Sequence, residues 1–149
     1  MFSSRRSRNL GFTLLEVLIT VVIVGVLAAI ALPSYESFVT RSRIIEATTG
    51  LGDMRSQMEK FFMDNRTYQS GGKCAIDGQM TTYNANPANK FALSCAGTAV
   101  TYTITATGGG PMSSFVYTIN QLNVKTTTGT KWGKTSATCW VNRDDGTCL

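Results

Sequence analysis

Apolar and polar positions along the chain follow three successive patterns. From Phe12 to Leu32 the run is almost uniformly apolar, with one carboxylate, Glu16, near its start. At 1.5 Å per residue a helix over this run spans about 30 Å, the thickness of a bilayer core. Beyond Pro33 the apolar residues recur at three- and four-residue steps: Tyr35, Phe38 and Val39, Ile44 and Ile45, Leu51, Met54, Met58, then Phe61 and Phe62. Arg41, Arg43, Glu46, Asp53, Arg55, Glu59 and Lys60 fill the gaps, so this half is an amphipathic helix with one face to bury. The expected helix runs from Phe12 to Met63 and ends at Asp64-Asn65. Pro33 is expected to weaken or kink it, and Gly25, Gly50 and Gly52 to soften it.

The stretch from Asn65 to Asn89 holds Gly71-Gly72, Asp77-Gly78 and an asparagine-rich end, and reads as an irregular loop. After it the period changes to two. Phe91–Cys95 is a short strand. In Ala99–Thr107, Val100, Tyr102, Ile104 and Ala106 alternate with threonines. Gly108-Gly109-Gly110-Pro111 is a turn; Phe115, Tyr117 and Ile119 alternate next; Gln121-Leu122-Asn123 turns the chain into Val124–Thr128; Ser136–Val141 is a final extended piece. Consecutive strands with one apolar face predict an antiparallel meander covered by the amphipathic half of the helix, an α+β fold.

Charge and cysteine usage narrow the function. Of 14 basic residues, Arg5, Arg6 and Arg8 precede the apolar run. A cut after Gly11 would lower the formal charge from +5 to +2, so the basic balance is weak support for a nucleic-acid partner. The chain has no histidine, which excludes Ser-His-Asp and Cys-His catalysis. Its four cysteines, Cys74, Cys95, Cys139 and Cys148, form no C-x-x-C pair, so no zinc site is expected. An even count behind an export-type N-terminus predicts two disulfides in an oxidising compartment. Three pairings exist; Cys74–Cys95 with Cys139–Cys148 is favoured because each closes a local loop, without excluding the others. Asp144-Asp145 reads as a solvated tight turn, and no glycine-rich phosphate loop follows a strand. The chain is read as non-enzymatic and free of cofactors.

A carboxylate inside a membrane-length segment costs about 2.5 kcal/mol or more at mid-bilayer, so Glu16 calls for a partner. A plain anchor would leave it without one. A secretory signal peptide would use Ala29-Ile30-Ala31 as its cleavage site, but with an unusually long apolar region. A cut between Gly11 and Phe12 would instead keep the apolar run on the mature chain. The residues Arg5-Arg6-Ser7-Arg8-Asn9-Leu10-Gly11-Phe12-Thr13-Leu14-Leu15-Glu16-Val17-Leu18-Ile19, continued by Ala31-Leu32-Pro33-Ser34-Tyr35, resemble the class III leader and N-terminus of type IV pilins. Phe38-Val39, Arg41-Ser42-Arg43, Glu46-Ala47 and Cys139-Trp140-Val141 resemble the PilE-type branch of Gram-negative bacteria.

This resemblance implies a long N-terminal helix packed on a four-stranded antiparallel sheet. It implies a leader over 1–11, an apolar assembly half over 12–40 and a head over 41–149, with loop 64–90 exposed on a filament. A prepilin peptidase would cut after Gly11 and methylate Phe12, and Glu16 would pair with the terminal amine of a neighbouring subunit. Other pilin subunits are the implied partners, and the inner membrane holds the chain before it enters an extracellular filament for twitching motility, adhesion or DNA uptake. A minor pilin serving as DNA receptor and a type II secretion pseudopilin are the alternatives. For DNA, Lys125, Lys131, Trp132 and Lys134, with Arg143 and Trp140 near them in sequence, combine phosphate-binding charge with rings able to stack on bases. The competing view packs Trp140 beside the Cys139 disulfide and leaves the lysines solvated.

Overall fold

The computed structural model describes residues 11–149, so the expected leader, with Arg5, Arg6 and Arg8, falls almost wholly outside the described residues. The chain divides into two units, the first ending at Phe38 and the second running Val39–Leu149. Helix α1, Leu14–Asn65, contributes to both.

In the first unit, Thr13 caps α1. Its hydroxyl accepts the Glu16 N–H at 3.2 Å, satisfying one of the donors a helix start leaves without a partner. The described side chains from Phe12 to Leu32 are exposed, and an 18-residue window of α1 reaches a mean hydropathy of 2.8. The helix runs on through Pro33, as expected of a residue that weakens it locally without ending it. A proline removes one helical bond at a cost of about 3 kcal/mol, which an otherwise continuous long helix absorbs.

In the second unit, α1 buries Ile44, Ala47, Leu51, Met54 and Met58, the three-and-four spacing of a single stripe. The helix runs through Asp64 and Asn65 and stops where Arg66 takes a left-handed conformation, φ 56°. Gly50 and Gly52 leave it unbroken. Gly50 instead lets an aromatic ring approach: a Cβ there would meet the Tyr83 ring at 3.1 Å.

The segment expected as loop is more ordered than its composition suggests. It forms a hairpin of β1, Gln69–Ser70, and β2, Lys73–Cys74, followed by helix α2, Asp77–Asn84. Buried Ile76 and Met80, four residues apart, anchor α2 to the core and outweigh its Gly78 and Asn84. The main sheet then follows as β3, Phe91–Gly97; β4, Tyr102–Gly108; β5, Val116–Asn120; and β6, Lys125–Gly129. All three pairings are antiparallel and neighbours in sequence are neighbours in space, giving the expected meander.

Two strand expectations need correction. Ala99 and Val100 lie outside β4, and Val100 is 66% exposed. The Thr98 hydroxyl accepts N–H bonds from Val100 and Thr101, closing a tight turn that delays the strand to Tyr102. Ser136–Val141 is not a strand; it touches β6 through one bridge, Thr127 to Ser136, and Val141 bridges to Cys148.

The inner sheet face buries Phe91, Leu93, Tyr102, Ile104, Ala106, Tyr117 and Ile119 in one core with the α1 stripe. Disulfides join Cys74 to Cys95 and Cys139 to Cys148. The first ties β2 to β3, and the second closes the C-terminal loop.

Candidate functional site

Each unit carries a candidate site. In the first, Gly11, Phe12 and Thr13 precede the helix in non-helical, exposed backbone, with Phe12 83% exposed. The Gly11–Phe12 peptide bond is therefore not protected by helical hydrogen bonding. Glu16 lies in the first turn of α1, where the helix dipole favours an acid. Its N–H is bound by Thr13 and its C=O accepts the Thr20 hydroxyl at 2.7 Å, while no described residue bonds its carboxylate. Thr13 and Glu16 have the spacing of a capping box. That sequence signal was present but hidden inside the apolar run.

In the second unit, the lysines expected to contact DNA lie at and just after β6. Lys125 opens the strand, with its ammonium 4.6 Å over the Trp140 ring. Trp140 is buried, and its indole N–H donates to the Thr118 carbonyl at 2.9 Å. Lys131 donates to the Thr40 hydroxyl at 3.3 Å and lies 5.8 Å from the Trp132 ring. Trp132 is half-buried and stands edge-on against Phe115 at 5.2 Å. Lys134 is exposed, and its turn is fixed by Thr130, whose hydroxyl accepts the Lys134 N–H and donates to the Lys134 carbonyl, both at 2.9 Å. Both rings are occupied, one in the core beneath Lys125 and one between Phe115 and Lys131.

The C-terminal segment is held to the sheet by more than its disulfide. Tyr117 donates to the Val141 carbonyl at 2.8 Å. The Thr127 hydroxyl donates to the Cys139 carbonyl and accepts the Val141 N–H, both at 2.9 Å. Asp144 and Asp145 form the expected tight turn. Asp145 accepts the Thr147 N–H at 2.7 Å, and hydrogen bonds from the Thr147 side chain and then its backbone hold the Asp145 carboxyl below its ordinary range. Asp145 is therefore a fixed negative charge two residues from Arg143.

Comparison with known proteins gives two family matches. Residues 33–115 match the model described as type IV minor pilin ComP, DNA uptake sequence receptor, and residues 6–32 match the prokaryotic N-terminal methylation motif. The chain is 36% identical over 100 residues to fimbrial protein EcpC of Eikenella corrodens, covering 66% of this chain and 64% of that protein. It is 33% identical over 113 residues to type IV major fimbrial protein FimA of Dichelobacter nodosus, covering 70% of this chain and 69% of that one. A probable minor fimbrial protein of the same organism is 38% identical over 74 residues, covering 50% and 46%. The chain thus spans just under two thirds of the Eikenella protein's length and less than half of the minor fimbrial protein's. The Lys125–Lys134 region lies beyond the residues matched by the DNA-receptor model.

Proposed function

The chain belongs to the type IV pilins, and from that premise we propose that it is a filament subunit processed at Gly11–Phe12 and assembled through α1. The observation that carries this reading is the pairing of an uncovered apolar helix half with an acid that has no partner among the described residues. Such a helix needs a bilayer before assembly and neighbouring helices after it. A prepilin peptidase would cut after Gly11 and methylate Phe12, leaving a cationic amine at the start of the mature chain. Between stacked parallel helices, Glu16 of one subunit meets that amine on the next. Opposite charges buried together favour one axial register, because a slip that separates them leaves both unpaired. The filament would serve motility, adhesion or DNA uptake. Mass spectrometry of purified surface filaments should find this chain beginning at methylated Phe12. A mature chain beginning at Leu32 would instead establish a conventional signal peptide and overturn the proposal.

A second reading, a minor pilin acting as DNA receptor, draws on the match of residues 33–115 to the DNA uptake model. Lys131 and Lys134 supply phosphate-binding charge in the same head. Trace abundance in purified filaments, with salt-dependent duplex binding, would favour this role over that of the main shaft subunit.

A further inference from the structure

Three stretches far apart in the sequence bring cations to the turns of α1 that open the second unit at Val39. Lys131 donates to the Thr40 hydroxyl at 3.3 Å, which seats the turn after β6 against the helix there. Arg43 reaches from α1 to the Ala88 carbonyl at 3.5 Å, and the Lys90 N–H donates to Glu46 at 3.2 Å, which seats residues 88–90 beside it. The Lys90 ammonium donates to the exposed Pro87 carbonyl at 3.1 Å and so stays at the surface. Arg41, half-buried on α1, makes no ion pair among the described residues. Two acids accompany these cations in the chain. Glu46 is already paired with Arg43 at 3.2 Å, and Glu36, earlier on α1, is exposed.

The cations surround the helix instead of lining one side of it. At about 100° per residue, positions 40, 41, 43 and 46 span roughly 220° of its circumference. Arg41 and Arg43 occupy two of these bearings, and the segments carrying Lys131 and Lys90 are bound at the other two. A rod of phosphates such as duplex DNA lies against one side of a helix and reaches part of that arc. A plane of phosphates from which the helix emerges reaches all of it. Helical side chains also lean toward the N-terminus, so Arg41 and Arg43 lean back along α1 toward its apolar run. Residues 33–40 are all that separate Leu32, where that run ends, from Arg41. They include exposed Tyr35, whose amphipathic ring suits the headgroup level of a bilayer. We infer that Arg41, Arg43, Lys90 and Lys131 form a collar that binds anionic phospholipid headgroups. The collar presupposes the bilayer-held state proposed above and gives it a lipid preference, since each Lys or Arg close to an anionic surface favours binding by about fivefold.

The test reconstitutes the full-length chain into vesicles of phosphatidylcholine alone or of phosphatidylcholine mixed with phosphatidylglycerol. Lysines are acylated with a membrane-impermeant reagent and read by mass spectrometry, with exposed Lys60, further along α1, as the internal reference. In the anionic vesicles, acylation of Lys131 and Lys90 relative to Lys60 should fall about fivefold or more. Salt at about 1 M, which shortens the reach of charge to roughly 3 Å, should restore it. Arg41→Glu should abolish the protection of both lysines while insertion, read by flotation, is unchanged; Arg41→Gln should reduce the protection less. A chain that floats with both vesicle types and is acylated equally in them overturns the collar alone, as does an Arg41→Glu chain with protection intact. Protection by duplex DNA on neutral vesicles, with none from phosphatidylglycerol, assigns these cations to nucleic acid and overturns the collar too. A chain that floats with neither vesicle type overturns the bilayer-held state, and the collar with it.

Discussion

The Tyr102 hydroxyl donates to one oxygen of Glu59 at 2.7 Å, and the Tyr68 hydroxyl donates to the other at 3.1 Å. One carboxylate on α1 therefore binds the first residue of β4 and the segment leading into β1. Phe62 stacks on Tyr68 and Tyr68 meets Tyr102 edge-on, so the three elements are joined by rings as well as by charge-assisted bonds. Glu59→Ala leaves two phenols without their acceptor and should destabilise the head by about 2–4 kcal/mol. Glu59→Gln keeps an acceptor and should cost less. Trp132 and Trp140 both lie in the head, so urea unfolding of the full chain in micelles, followed by tryptophan fluorescence, gives the midpoints. A Glu59→Ala midpoint equal to that of the parent protein would show that the carboxylate does not hold these elements together.

Alkaline pH should weaken the same core. Burial pushes the phenols of Tyr102 and Tyr117 up, with the Glu59 hydrogen bond adding to the rise at Tyr102. Tyr68 and Tyr83 are raised for the same primary reason. Unfolded tyrosines ionise near pH 10, whereas the folded ones keep their protons to higher pH. Their stabilisation is complete below about pH 10 and is lost as pH rises toward the folded values, by up to about 1.4 kcal/mol per pH unit for each tyrosine. Thermal midpoints should fall steadily between about pH 10 and 11.5. Tyr117→Phe should make that decline shallower, and an unchanged slope would exclude Tyr117 as a contributor.

Two glycines should respond in opposite directions. Gly108 ends β4 against the 3-10 turn Gly110–Met112, where an added Cβ would lie 1.9 Å from the Met112 carbonyl oxygen. Gly108→Ala forces backbone apart and should cost about 2 kcal/mol or more. Gly52 lies inside α1, and an added Cβ there meets nothing within 4 Å. Gly52→Ala should add up to about 1 kcal/mol through helix propensity. The difference between the two urea midpoints checks both, and equal shifts would refute the close approach at Gly108.

Local pattern carried much of the fold. The α1 stripe and the alternation in β4 and β5 come from residues that meet the core at a fixed period, and a period is visible in a sequence. Helix α2 was legible only in part: Ile76, Met80 and Tyr83 fall at helical steps, but Gly78 and the asparagines around them mark a loop by composition. Val100 continues the strand's alternation yet points to solvent, because the Thr98 turn sets where the strand starts. The Glu59–Tyr102 bond joins residues 43 apart, and no local pattern announces such a pair. The site divides similarly. Gly11, Phe12 and Glu16 form a contiguous motif, whereas the burial of Trp140 and the edge-on seat of Trp132 arise only when the C-terminal segment packs on the sheet.

That seating alters how DNA would be held. Trp140 is buried under Lys125 with its N–H given to Thr118, and Trp132 is half-buried edge-on against Phe115, so these rings offer bases little free surface to stack on. Binding at this site would then be electrostatic, with each neutralised phosphate contributing about 0.9 to the slope of log affinity against log salt. Lys134 is exposed and its ammonium has no bonded partner among the described residues, so Lys134→Ala should weaken duplex binding and reduce that slope by about one. Trp132→Leu should leave the slope unchanged, since it removes no charge. Lys125→Ala is a poorer probe because it uncovers Trp140, and its urea midpoint would separate lost packing from lost binding. The measurement is duplex affinity of the full chain across a salt series. If duplex binds and Lys134→Ala changes neither affinity nor slope, the Lys125–Lys134 cluster is not the contact. The search would then move to the cations within residues 33–115, where the DNA-receptor match lies.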